Sequence, residues 1–228
     1  MTPGGRYGIV PLYIKAAVWW KRKDPSMNRS LFRLGAVLGC GALLVPAQGF
    51  AHVSGASHSH PGVLQSFADG LVHPLTGLDH LLAMVALGLW IAKSTLRDRG
   101  SVAGIFVGAM LLGALIGVSG PAVPEVEFLI GASVVVLGAL VAAGRGAHFI
   151  TALSLSGVFA LFHGFTHGAE MGALDAAPYF SGFLLSSGLL VLGASYAAGA
   201  LKGSQTMVLR PAGALICAAG AAMLLGLV

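Results

Sequence analysis

Six apolar stretches fall between residues 71 and 228, at 71–92, 101–119, 128–144, 149–171, 179–200 and 211–228. Each is near the length that crosses the hydrocarbon of a bilayer as a helix, about 20 residues. Inside lipid every backbone N–H and C=O must find a partner within the chain, which leaves helices as the simplest solution for segments of this kind. The expected fold is therefore an all-α membrane protein, a bundle of six transmembrane helices. Composition agrees. Charged side chains make up 9% of the 228 residues, against about 25% in an ordinary soluble domain. Glycine is abundant, at 34 residues, as suits helices that pack closely in lipid. Disorder, coiled coil and nucleic-acid binding are excluded on these grounds.

The region before the first span reads differently. Residues 1–26 show no apolar period and end near Lys21, Arg22 and Lys23. We expect them to be a start-site artefact or a signal extension. Met27 opens a pattern typical of a signal peptide over 27–51: basic Arg29 and Arg33, an apolar core from Leu34 to Val45, the breaker Pro46, and Gly49-Phe50-Ala51 before a cleavage site. The apolar core, about 12 residues, is short for a membrane anchor. Cleavage after Ala51 gives a six-span domain of 52–228 with His52 at its start. Cys40 would leave with the signal. Cys217 would then stand alone, which excludes an internal disulfide and a cysteine metal cluster.

Cations orient the bundle. Seven of the 13 Lys and Arg lie at or before Arg33. The others, Lys93, Arg97, Arg99, Arg145, Lys202 and Arg210, fall in the first, third and fifth connections. The second holds Glu125 and Glu127, and the fourth Asp175. Lys and Arg accumulate on the cytoplasmic side, so both mature ends are expected outside, in agreement with signal cleavage. The net charge of +5 is then a matter of topology.

An ionisable group within the bilayer costs about 2.5–3.5 kcal/mol on insertion scales, so each one needs a reason. Within the spans such groups are concentrated in two. The first carries His73, Asp79 and His80; the fourth carries His163, His167 and Glu170. His163 and His167 are one turn apart on one helix face, a spacing at which two imidazoles can grip one ion. Glu170 extends the same stripe. A straight helix would hold His73 and His80 about 10 Å apart along its axis. Pro74 and Gly77 lie between them and favour a kink or an unwound turn, of the kind that marks binding sites in transporters. Both motifs fall in the outer half of their spans. Four histidines with two carboxylates suit a borderline divalent metal such as Ni²⁺, Co²⁺ or Zn²⁺. The alternative is a structural polar network joining spans one and four. Met84 and Met171 are read as packing residues, Asp69 as solvated at the outer mouth, and His148 as interfacial. His52, His58 and His60 in the outer tail either gather metal at the entrance or are plain polar residues. Three glycine pairs, Gly104/Gly108, Gly113/Gly117 and Gly164/Gly168, have the spacing of close helix seams.

The two motifs resemble those of the HupE/UreJ family of bacterial membrane permeases. His73, Asp79 and His80 match its H-x5-D-H pattern. Phe162, His163, Gly164, His167, Gly168 and Glu170 match its F-H-G-x-x-H-G-x-E pattern. The resemblance implies supply of nickel or cobalt across the bacterial inner (plasma) membrane, with an indirect link to hydrogenase or urease maturation. It does not choose between the two metals. On this reading Ni²⁺ or Co²⁺ is the transported substrate, no cofactor is permanently bound, and the chain is not an enzyme. The sequence contains no G-x-x-x-x-G-K followed by Ser or Thr, so facilitated diffusion is the simplest mechanism. Two further readings stay open at this stage: an intramembrane metalloenzyme or haem protein, and a metal sensor or scaffold that binds without flux.

Overall fold

The computed structural model describes residues 62–228, apart from 121, 122, 124 and 173. The expected signal peptide, its cleavage site and His52, His58 and His60 lie outside these residues. Among the described residues there are helices and no strand. They run α1 (Val63–Thr76), α2 (Leu78–Ile91), α3 (Leu96–Ser119), α4 (Glu125–Ala143), α5 (Phe149–Glu170), α6 (Ala176–Gly199) and α7 (Gln205–Leu224), with a 3-10 turn at Lys202–Ser204 before α7. Helices α3 to α7 are long and apolar enough to cross a membrane; α1 and α2 meet that measure only as a bent pair, the form of a broken span or of a re-entrant loop.

The break in the first span is therefore present, and it is sharp. Helices α1 and α2 meet at Gly77 with a bend of 73°. Two local causes coincide. Pro74 lies inside α1 and supplies no N–H to the helical ladder. Gly77 takes an extended conformation, φ −78° and ψ 114°, that ends one helix and starts the next. The span also begins earlier than expected, at Val63 rather than near residue 71. The last span likewise starts at Gln205, not residue 211, so Pro211 and Arg210 sit within α7. Apolar content marks the lipid-embedded part of a helix, and these helices extend past it.

Helix α2 is the centre of the bundle. From Ala83 to Ile91 all its residues except Val85 are buried, including Met84, Leu87, Trp90 and Ile91. A helix that is apolar all round and buried all round belongs inside a bundle. It packs on α4 and α6 and reaches α5 and α7. Around it α3 pairs with α5, α4 with α7, and α1 with α6.

Glycine makes the α3–α5 pair close. A Cβ on Gly113 or Gly117 would run into the carbonyls of Leu161 and Phe165, and one on Gly164 or Gly168 into those of Met110 and Ala114. The two glycine pairs thus face each other and let the backbones touch, the small-residue packing that replaces hydrophobic drive within lipid. Gly104 and Gly108 behave differently: a Cβ on either meets nothing within 4 Å, so this third pair is not a seam among the described residues.

The cationic connections gather at one end. Lys93 donates to the Gly144 carbonyl, Arg210 to that of Ala142, and Arg99 to those of Ala92, Ser94 and Ser195. Cations on the last carbonyls of helices satisfy groups the ladder leaves free and suit the negative end of the helix dipole. Connections one, three and five are thereby tied together, as their shared charge suggested. His148 caps the start of α5 and is exposed at this same end.

Candidate metal centre

The bend at Gly77 decides the geometry of the site. It brings the rings of His73 and His80, on either side of the break, to 5.9 Å between centroids. His167 of α5 completes the group, 4.6 Å from His73 and 4.3 Å from His80. One nitrogen from each of the three can be chosen so that all lie within 4.8 Å of one another. Nitrogens on opposite sides of one ion, at about 2.1 Å per bond, stand roughly 4.2 Å apart. Three imidazoles from two spans thus converge to within a small ring movement of coordination geometry.

The chemistry of the nitrogens is as informative as their positions. Nδ1 of His80 pairs with Oδ1 of Asp79 at 2.5 Å, and Nδ1 of His163 pairs with the Phe159 carbonyl at 2.9 Å. Each ring donates through Nδ1, so its Nε2 carries a lone pair. Nε2 of His80, Nε2 of His163 and both ring nitrogens of His167 are buried without a hydrogen-bond partner among the described residues. A buried polar atom left in that state costs about 1–3 kcal/mol. Four such atoms in one small region form a donor set shaped for a cation. An imidazole held by a carboxylate through its other nitrogen is the usual arrangement at metal sites, where the outer partner fixes orientation and raises basicity.

The six residues singled out by sequence therefore divide by role. His73, His80 and His167 converge. His163 is 1% exposed and 5.1 Å from His80; it lies one turn deeper than His167, towards the cationic end. The i, i+4 pair of α5 is not the nucleus of the group; it spreads the donors along the axis. Asp79 backs His80. Glu170, at the end of α5, lines an open cleft of about 610 Å³ that also touches Asp79, His80 and Thr166. Met84 is buried in the core, and Met171 packs with the cluster of Ala114, Tyr179 and Phe180, so both are packing residues. Asp69 accepts from Gln65 at the surface of α1.

A family model described as HupE / UreJ protein matches residues 40–223. The chain belongs to this family. Protein HupE of Rhizobium leguminosarum bv. viciae is 38% identical over 173 residues, which cover 75% of this chain and 91% of the relative. No solved structure matches. This member of the HupE/UreJ family is thus a bundle of apolar helices with a sharp bend at Gly77, and the histidine cluster is drawn from both sequence motifs.

Three residues at the site escaped the reading of the sequence. Glu127, in the first turn of α4, lines the cleft opposite Glu170. It looked like a loop charge because it precedes the apolar stretch. Phe183 of α6 lies against His167, with ring centroids 4.2 Å apart, and Tyr179 lies 6.1 Å from His73. Nothing in an apolar span distinguishes these aromatics from lipid-facing ones. Their fourfold spacing on α6 was the available signal.

Proposed function

We propose that this HupE/UreJ protein carries a divalent transition metal ion, nickel or cobalt, inward across the bacterial inner membrane. The observation that carries the reading is the convergence of His73, His80 and His167, with buried nitrogens on His80 and His167 that have no hydrogen-bond partner among the described residues. Neutral imidazoles select borderline metals over hard Mg²⁺ and Ca²⁺.

The ion first meets the acidic cleft, where Asp79, Glu127 and Glu170 offer carboxylates that offset its double charge. It then exchanges water for the three histidines, with Asp79 holding His80 in the correct tautomer. His163 offers the next donor inward. With the acidic end outside and the cationic end in the cytoplasm, an inside-negative potential favours inward movement of a divalent ion by about 4.6 kcal/mol per 100 mV. Facilitated diffusion needs no other energy source.

The geometry speaks against haem. Two axial imidazoles would face each other across a flat macrocycle, whereas these rings meet edge to face at 4.3–5.9 Å. The test is uptake of radiolabelled nickel and cobalt by proteoliposomes with an imposed potential. Saturable flux that disappears in His80→Ala and His167→Ala supports transport. Stoichiometric binding without flux, in any potential, would make the protein a sensor or scaffold.

A further inference from the structure

The histidine cluster adjoins a cleft on one side and a sealed core on the other. Along α2 the residues after His80 towards the cationic end are Met84, Leu87 and Ile91, all fully buried. Met110 of α3 and Val191 of α6 belong to the same buried core. An ion at the histidines can exchange with the cleft, but a dry apolar layer separates it from the cationic end. In the transport reading, something in this layer has to move.

Phe183 is placed to be that element. Its side chain is 0% exposed. Its ring is tilted against His167 and lies 6.3 Å from His73, so it is the apolar surface that the cluster rests on. The backbone beneath it is unusual as well. The Phe183 carbonyl accepts hydroxyl hydrogen bonds from both Ser186 (3.1 Å) and Ser187 (2.7 Å). Hydroxyls that bond back to a carbonyl three or four residues earlier compete with the helical ladder and make the helix easier to bend. Further along α6, past Phe183, polar atoms return. Ser187 and Ser195 are fully buried, and the Ser195 hydroxyl has no hydrogen-bond partner among the described residues. The Ser195 carbonyl then accepts from Arg99 at the cationic end. Between Ser187 and Ser195, Val191 is fully buried, and a Cβ on Gly88 of α2 would strike the Val191 carbonyl, so α2 and α6 are closed against each other along this stretch.

We propose that Phe183 is the inner gate of the pathway: its ring, which shares the buried core with Met84, Leu87 and Met110, closes the histidine cluster off from the cationic end, and its displacement admits the ion. An apolar constriction stops ions by excluding water, and it opens when the ring moves and water enters. The inference rests on the transport reading above.

The experiment compares wild type, Phe183→Leu, Phe183→Ala and Phe183→Trp in three measurements: nickel binding to the solubilised protein, nickel flux, and Mn²⁺ and Mg²⁺ flux into proteoliposomes. Phe183→Leu keeps an apolar side chain of similar reach and guards against loss of fold. We expect Phe183→Leu and Phe183→Ala to bind nickel within about threefold of wild type. We expect Phe183→Ala to pass Mn²⁺ or Mg²⁺ at least about tenfold faster than wild type, because the dry barrier is shortened. Phe183→Trp should bind nickel yet lose about nine-tenths of its flux, through a bulkier gate. Unchanged ion exclusion in Phe183→Ala together with wild-type flux in Phe183→Trp would overturn the gate. Loss of nickel binding in both Phe183→Leu and Phe183→Ala would overturn it too, and make Phe183 a support for the histidines. Wild-type protein that binds nickel but shows no flux would instead defeat the transport reading, and the gate with it.

Discussion

Oδ1 of Asp79 accepts both the Nδ1 hydrogen of His80, at 2.5 Å, and the His80 backbone N–H, at 2.8 Å. One carboxylate thus fixes the ring and the first turn of α2 together, and it does so where an acid is favoured, at the positive end of a helix. The result is a His80 whose Nε2, not Nδ1, is free for a ligand.

Removing that charge while keeping the shape is the direct test. Asp79→Asn should bind nickel about 10–100-fold more weakly, the usual effect of losing the outer partner of a ligating histidine. Equilibrium dialysis measures this, and circular dichroism should show unchanged helix. A fall in affinity below about twofold would mean that His80 does not ligate through Nε2.

His167 carries two buried nitrogens without hydrogen-bond partners among the described residues, and in the proposed site it is a ligand. Replacing it by Leu removes both polar atoms and roughly conserves volume. In metal-free buffer the change in stability should be below about 1 kcal/mol, of either sign. Wild type should gain about 2.7 kcal/mol of stability from nickel at a hundred times its dissociation constant. His167→Leu should lose that gain entirely. Thermal unfolding followed by the intrinsic tryptophan signal reads both quantities.

The α3–α5 seam predicts a contrast between two glycines of the same helix pair. Gly164→Ala places a methyl against the Met110 carbonyl and should destabilise by about 1–3 kcal/mol through forced backbone shifts. Gly104→Ala points into open space and should stay within about 0.5 kcal/mol of wild type. Because Gly164 directly follows His163 and Gly168 directly follows His167, Gly164→Ala should also weaken metal binding. Equal effects of the two substitutions would show that the seam is not where the helices touch.

Glu127 and Glu170 face one cleft and should act on capture, not on the step that follows. Glu127→Gln with Glu170→Gln should raise KM for nickel by about tenfold at low salt and leave the maximal rate within about twofold. The difference should shrink as ionic strength rises and screens the cleft. Uptake kinetics at two salt concentrations check this. An equal loss of maximal rate would place the carboxylates in the transport step itself.

Much of the fold was legible in order along the chain because hydrophobic length and the sites of Lys and Arg are properties of single segments. The break at Gly77 was legible for the same reason: Pro74 and Gly77 act on their own backbone. The ends of α1 and α7 were misjudged, since a helix does not stop where its apolar residues stop. The site was legible as a set of residue types. His73, Asp79, His80, His163, His167 and Glu170 stand out because lipid tolerates few such groups.

By itself the sequence determined that the chain is helical, where it bends, and which side chains are too polar for lipid to be there without a partner. It could not choose among their pairings. Helical periodicity relates residues only along one axis, and in an apolar medium every face of a span reads alike. Tertiary structure decided that His167 meets both His73 and His80 while His163 approaches His80, that Asp79 stands behind His80, and that Glu127 joins the cleft while Phe183 packs against His167. Those outcomes depend on how closely backbones approach at Gly113, Gly117, Gly164 and Gly168, and on the angle at Gly77. Both are contacts between distant segments, settled only when the helices pack.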